Sequence, residues 1–470
     1  MSGGEVTADD AVPEKRSSFT SRIGFVLATA GCAVGLGNLW RFPYLADKYG
    51  GGTFLFVYVI LVVIFGITLM LGEVALGRKT GRSCVDAYRE LSAKHSWIGI
   101  LAAIVPMVIA SYYCVIGGWV LKYFLEFTVG QGLETAVPGY FDGFMSCGIE
   151  GVFNSPITWF LIFAAITVVI VVAGVENGIE KISKALIPVL LVLMVVIIVY
   201  VFTLQPGENG VTIMDGLRNY LIPDFDELSV STVLGASSQL FYSLSIGSGV
   251  LITYGSYMKK KDDMLKSVKQ VAGIDLSVAF MAGLMILPAV YMFGIGGGEQ
   301  GPGLMFVSMP MIFAQMPAGQ VVGALFFFLV AIAAITSSIS MAEAVVSSLQ
   351  DRLKWCRRTS TLVVGGIIVG LGIFSCIGYG PLDWVTLGGH YLLEIFDLFS
   401  NNLLMPVVSL MTCLFIGYVI KPKAIVDEVE GSGEFKHARL YVFLVKYLCP
   451  LFLGLIFVMG VAGVFGFINI

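Results

Sequence analysis

The sequence predicts an all-α polytopic membrane protein with eleven transmembrane helices, and three observations carry that prediction. Hydrophobic residues make up 57% of the 470 and charged residues only 13%, about half the charged share of a soluble protein, and the mean hydropathy is +0.89. Apolar runs long enough to cross a bilayer, roughly 20 residues each, recur near 23–46, 52–76, 97–126, 156–174, 181–204, 228–257, 264–294, 317–350, 360–378, 387–419 and 439–468. The positive charges then sort by side. With the N-terminus in the cytoplasm, every Lys and Arg except Arg41, Lys48, Lys122 and Arg218 falls on the inner face, and the segments 127–155, 295–316 and 379–386 carry none. Such alternation follows the positive-inside rule, and an odd number of spans puts the C-terminus outside.

Composition also narrows the function. A net charge of −4 and a pI near 5.5 give no basic footprint for nucleic acid. Most of the eight Cys lie inside apolar runs (Cys32, Cys114, Cys376, Cys413, Cys449) with no CxxC pattern, which disfavours a disulfide framework or a zinc site. None of the three His falls in an HExxH motif, and no phosphate-binding loop appears, so an enzyme is not expected. Residues 1–22 are polar and read as a cytoplasmic tail, with no secretory signal expected.

The first span (23–46) is interrupted by Gly31-Cys32-Ala33-Val34-Gly35-Leu36-Gly37-Asn38-Leu39-Trp40-Arg41-Phe42-Pro43. The second (52–76) holds Glu73, the third (97–126) Tyr112 and Tyr113, and the fifth (181–204) begins between Gly178 and Pro188. The sixth (228–257) is interrupted by Ser243-Leu244-Ser245-Ile246-Gly247-Ser248-Gly249. The seventh (264–294) buries Asp275 among apolar residues, where an acid costs at least ~2.5–3.5 kcal/mol unless partnered. The eighth (317–350) carries Thr336-Ser337-Ser338. Each glycine weakens a helix by about 1 kcal/mol relative to Ala, so the two glycine-rich stretches invite unwinding. Unwound backbone at membrane depth survives only where it lines a protein-enclosed cavity. Small-residue helix packing is the competing explanation for glycine in a span; polar residues inside both stretches favour a binding role. Spans one and six are five apart, equivalent positions in two inverted five-helix repeats, and paired interruptions of that kind mark a transporter's binding site. The organisation expected is therefore a first repeat over 23–204, an outer loop over 205–227, a second repeat over 228–419, and a cytoplasmic loop with helix eleven over 420–470.

Taken together, Gly31–Pro43, Gly50-Gly51-Gly52, Tyr112-Tyr113, Ser243-Leu244-Ser245 and Thr336-Ser337-Ser338 resemble the neurotransmitter:sodium symporters, in particular the bacterial amino-acid transporters, along nearly the whole chain. The resemblance implies sodium-coupled uptake of a hydrophobic or aromatic L-amino acid by alternating access at the cell membrane. A proton-coupled or uniport carrier of the same fold is the alternative. It implies two sodium ions, one held by Ala33, Asn38, Ser243 and Asp275, the other by Gly31, Val34, Ala333, Thr336 and Ser337. Animal relatives use chloride near Asp275; the fixed carboxylate here resembles its replacement and implies chloride independence.

The same resemblance places a substrate carboxylate on the amides of Leu36 and Gly37, with the Tyr113 hydroxyl beside it and Ser245 near the amine. It lines the side-chain pocket with Ile109, Tyr113, Phe241, Tyr242, Ser248 and Met341. Gly35 stands where monoamine carriers have Asp, which points to an amino acid as substrate, and Ser248 replaces a frequent Phe or Met. Arg41 and Asp397 resemble an outer gate with Tyr113 and Phe241 as the lid beneath it; Arg16 and Asp351 resemble an inner one, near Tyr257. Phe19 stands where the family's tail usually has Trp, and Glu73 resembles an acid that bonds the unwound sixth helix. Gly178 and Pro188 resemble a motif at which the fifth helix opens to water. A monomer is expected.

Overall fold

The computed structural model of the chain describes residues 17–146, 151–206, 210–295 and 302–464. Among these residues every regular element is helical, apart from an isolated bridge between Leu387 and His390. Eight helices are long and apolar enough to cross a membrane: Gly52–Thr80, Ala93–Val129, Val175–Val201, Met264–Phe293, Gly319–Leu353, Arg357–Ile377, Leu392–Val419 and Ala438–Gly460. Arg22–Ala33 and Gly37–Lys48 make a ninth as a pair bent by 52°. The other two expected spans take different forms. Pro156–Val172 is apolar but only 17 residues long, and the sixth span is split into Val230–Leu244 and Val250–Ser256. A further apolar helix, Leu304–Gln315, lies in the stretch that the sequence leaves as a connection.

Local chemistry explains where the helices start. Ser21 accepts from the Gly24 amide at 3.1 Å, Ser229 and Thr232 form a reciprocal cap at the start of the sixth span, and Asp263 accepts from the Lys266 amide at 2.9 Å. Each side chain satisfies an amide that a helix start leaves unpaired.

Both interruptions are real breaks. In the first span α-helical geometry ends at Ala33, Val34 is extended (φ −77°, ψ 100°), and helix resumes at Gly37. In the sixth, Ser245 (φ 53°), Gly247 (φ 81°) and Gly249 (φ 68°) all adopt left-handed backbone. That conformation costs a non-glycine residue about 1–2 kcal/mol, so Ser245 is held there by its surroundings. Gly247 has a second requirement: a Cβ there would sit 2.5 Å from the Met405 carbonyl oxygen.

Packing sets the breaks at the centre of the protein. The long helices of the third and eighth spans, 34 and 35 residues, pack on each other, and the first span packs on the seventh and eighth. The second span meets the second helix of the sixth, Val250–Ser256, at glycine contacts: a Cβ at Gly77 would fall 1.7 Å from the Ile252 carbonyl oxygen, and one at Gly255 2.2 Å from that of Val74. The periphery is apolar and outward-facing, as with Val192 (62% exposed) in the fifth span and Leu451 (71%) in the eleventh. Each Å² of such surface costs roughly 25 cal/mol in water and nothing comparable in hydrocarbon.

Candidate substrate and ion site

A cavity of about 30 Å³ lies between the two breaks, lined by Cys32, Ala33, Gly35, Gly37, Ile109, Tyr113, Tyr242, Ser243, Ser245, Ser248, Ser337, Met341 and Met405. Most of the expected substrate residues therefore meet in one place. Leu36 is not among the wall residues, but its amide donates to the hydroxyl of the wall residue Tyr113 at 3.0 Å. Phe241 is buried but is not part of the cavity wall; its neighbour Tyr242 fills that role, because successive residues on a helix point about 100° apart. Cys32 and Met405 join the wall without having been singled out in the sequence. Gly35 is needed there: a Cβ would fall 2.6 Å from Ser337 Oγ and 2.7 Å from Tyr113 Oη.

Beside the cavity, three of the four residues expected at one ion site are hydrogen-bonded together. Asn38 Nδ2 donates to Ser243 Oγ at 3.0 Å and to Asp275 Oδ1 at 2.8 Å. Ser243 Oγ donates to the same carboxylate oxygen at 2.7 Å, and Tyr58 Oη approaches the other at 3.4 Å. Asn38 Oδ1 in turn accepts from the Gly35 amide at 3.1 Å. Asn38, Ser243 and Asp275 are fully buried or nearly so, and Ala33 lies at the cavity wall.

The second expected cluster has a surplus of acceptors. Ser337 Oγ lies 3.2 Å from the Gly31 carbonyl oxygen, 3.1 Å from that of Cys32 and 3.2 Å from that of Val34. One hydroxyl proton cannot serve three carbonyls, so negative potential concentrates at this turn of broken helix. Thr336 Oγ1 donates back to the carbonyls of Ile332 and Ala333, at 3.2 and 3.1 Å. The second cluster presents oxygen alone, the donor set of hard cations; in the first, Ser243 and Asp275 present oxygen while Asn38 turns its amide nitrogen toward them. Among the described residues no group of three or more His, Cys, Asp and Glu could hold a metal ion.

The break in the sixth span is tied to the second: Glu73 Oε1 accepts from the Gly247 amide at 2.7 Å. Gln239, fully buried, donates to the Gly37 carbonyl at 2.9 Å and so braces the other break. Neither Gln239 nor Tyr58 stands out in the sequence, since each sits singly in an otherwise ordinary helical pattern.

The gates are assembled differently from the pairs expected. No ion pair joins Arg41 to Asp397. The Arg41 guanidinium bonds Ser238 Oγ at 2.8 Å and lies 5.2 Å from the centre of the Tyr242 ring. Asp397 accepts from Tyr112 Oη at 2.9 Å and from Asn401 Nδ2 at 2.6 Å. Each charge is thus partnered on its own side.

Arg16 lies outside the described residues; on the face opposite the Arg41 end, Asp351 accepts from the Ser83 amide at 2.7 Å. Phe19 is buried in an aromatic cluster, edge-on to Tyr254 at 5.6 Å and Tyr257 at 6.0 Å, and its amide donates to the Tyr257 carbonyl. Thr20 bonds Glu180 through its amide (2.8 Å) and its hydroxyl, which ties the tail to the start of the fifth span. Gly178 lies in a π-helical turn there, and Pro188 lies inside the following helix. A buried group absent from the sequence reading is Glu343: it accepts from Tyr257 Oη at 2.7 Å and pairs with Arg357 at 2.5 Å.

Helices broken in pairs around oxygen clusters and an enclosed cavity define a secondary transporter, not an enzyme. The family described as the sodium:neurotransmitter symporters matches residues 16–133 and 144–465. The chain belongs to that family. It is 33% identical over 467 residues to an uncharacterized sodium-dependent transporter of Bacillus subtilis, YhdH, covering 97% of this chain and 99% of the relative. An uncharacterized sodium-dependent transporter of Methanocaldococcus jannaschii is 33% identical over 454 residues, covering 93% and 89%. Among solved structures, MhsT in complex with L-phenylalanine superimposes with a TM-score of 0.85 at 33% identity, covering 95% of this chain and all of that one.

Proposed function

We propose that the protein couples sodium entry to uptake of a hydrophobic or aromatic L-amino acid by alternating access, without chloride. The observation that carries this reading is the Asn38–Ser243–Asp275 cluster sharing Ser243 with the cavity wall. An ion bound there and a substrate carboxylate in the cavity would complete each other's sites, which is the coupling that symport requires. Gly31, Val34, Ala333, Thr336 and Ser337 would hold a second sodium. Ile109, Tyr113, Tyr242, Ser248 and Met341 would enclose an apolar side chain, a reading supported by MhsT, which carries L-phenylalanine in its structure. Asp275 supplies a fixed negative charge where a chloride would otherwise be needed. Two sodium ions would deliver about 7 kcal/mol, at ~2.3 kcal/mol per charge across 100 mV plus ~1.4 for a tenfold gradient.

In this reading eleven spans form two inverted five-helix repeats and a final helix, in a monomer. The N-terminus is cytoplasmic and the C-terminus lies outside the cell membrane. The test uses purified protein in liposomes with an inward sodium gradient and labelled leucine, isoleucine, tryptophan, tyrosine and phenylalanine. Sodium should stimulate uptake of at least one, and gluconate in place of chloride should leave it unchanged. Uptake that ignores sodium but follows a proton gradient, or needs no gradient, would replace this reading with the carrier alternative.

A further inference from the structure

An open cleft lies between spans ten and eleven, and none of its lining residues belongs to the transport cavity. The tenth span ends in a π-helical turn, Phe415–Val419, and the eleventh contains another, Leu444–Leu448. The two meet at Gly417, whose Cβ position lies 3.4 Å from the Val445 carbonyl oxygen. Beside this contact the spans part around a cleft of about 590 Å³. Four cations line it: Lys421, Lys423, Arg439 and Lys446. No acid does. Of the neighbouring acids, Glu428 is engaged by Arg78 at 2.9 Å and Lys260 at 2.7 Å, and Glu434 by Lys436 at 3.6 Å, while Asp427 and Glu430 lie exposed on the Lys423–Glu430 helix, outside the cleft lining. Lys421 holds a left-handed backbone (φ 66°) at the turn, a strained conformation for a side-chain-bearing residue. Tyr418 Oη donates to the Lys446 carbonyl at 2.6 Å across the two spans.

The surface beside the cleft is apolar and exposed: Leu440, Phe443, Tyr447 and Leu451. Helical spacing of three and four places these residues along one stripe of the eleventh span. A concentrated positive cleft next to a lipid-facing stripe matches a molecule with an anionic head and apolar tails, and basic pockets between transmembrane helices recognise such headgroups. We propose that this cleft is a binding site for an anionic phospholipid, its phosphate held by Lys421, Lys423, Arg439 and Lys446, and its chains lying along Leu440, Phe443 and Leu451. The inference does not depend on which substrate or ion the protein carries, and its readout is binding, not transport.

Full-length protein exchanged into detergent with phosphatidylglycerol or phosphatidylcholine is examined by native mass spectrometry, alongside Lys421→Gln/Arg439→Gln/Lys446→Gln. A second variant, Lys436→Gln, alters a cation outside the cleft. Phosphatidylglycerol should stay bound to the wild type and to Lys436→Gln. The triple variant should retain it roughly 100-fold more weakly, each surface cation contributing a factor of about five. Equal unfolding temperatures of the variants in lipid-free detergent establish that the triple variant is folded; if it is not, the single exchange Lys446→Gln should weaken retention about fivefold. Equal retention of phosphatidylcholine, equal retention by wild type and the folded variant, or full displacement by inorganic phosphate would overturn the proposal, the last by pointing to a free-anion site.

Discussion

The Tyr113 hydroxyl accepts a hydrogen bond from the Leu36 amide at 3.0 Å, so the amide expected to receive a substrate carboxylate is joined to the side chain expected to bind it. Tyr113 lines the cavity, and Leu36 lies between the wall residues Gly35 and Gly37 of the broken first span. A carboxylate arriving here would take the amide proton and the phenolic proton together.

Tyr113→Phe removes the phenolic oxygen and leaves the Leu36 amide without its partner. The substrate carboxylate would lose the phenolic donor, and a hydrogen bond to a charged group is worth about 1.5–3 kcal/mol, so apparent substrate affinity should fall roughly 10- to 150-fold. Labelled amino-acid uptake over a range of concentrations measures this as a rise in KM; an unchanged KM would remove Tyr113 from the carboxylate site.

Ser337→Ala deletes the hydroxyl at the meeting point of the Gly31, Cys32 and Val34 carbonyls. The sodium concentration for half-maximal uptake should rise about tenfold, taking the net loss of a polar ligand as ~1–1.5 kcal/mol. Substrate KM at saturating sodium should change little. A variant with wild-type sodium dependence would place the ion elsewhere.

Ser248→Phe adds an aromatic ring to a wall of the cavity. Competition uptake should shift preference toward smaller amino acids, by roughly 10-fold or more for the loss of one favourable side-chain fit of ~1–3 kcal/mol. If the rank order of competitors stays the same, Ser248 does not face the substrate.

Arg357→Ala leaves the buried Glu343 carboxylate without its guanidinium. Removing one member of a buried pair costs about 3–5 kcal/mol, and the double variant Arg357→Ala/Glu343→Gln should recover a good part of that. Thermal unfolding in detergent compares the two; equal loss in both would mean that the cost lies in packing, not in charge.

The breaks were legible because their cause is local. Clustered glycine and serine inside an apolar run weaken a helix whatever surrounds it, and Gly31–Gly37 and Ser243–Gly249 are where the structure unwinds. The grouping of Asn38, Ser243 and Asp275 rests on the family resemblance, and the three are hydrogen-bonded together in the structure. Three things were not legible. Beside a break, helical phase cannot be counted, so Phe241 and Tyr242 could not be told apart. Gln239 with Gly37 and Glu343 with Arg357 depend on how distant helices rotate, which no single run encodes. Arg41 and Asp397 each found nearer partners, Ser238 and Tyr112, that sequence spacing does not reveal.

The glycine contacts between the second span and the short helix Val250–Ser256 carry a mechanical consequence. With Gly77 seated against the Ile252 carbonyl and Gly255 against that of Val74, the two helices are keyed at two points and cannot slide independently. The pliable joint lies above them, at Ser245–Gly249, where Glu73 of the same second span grips Gly247. The lower half of the sixth span therefore behaves as an arm bolted to the second, and any swing about the joint is a movement of both as one piece.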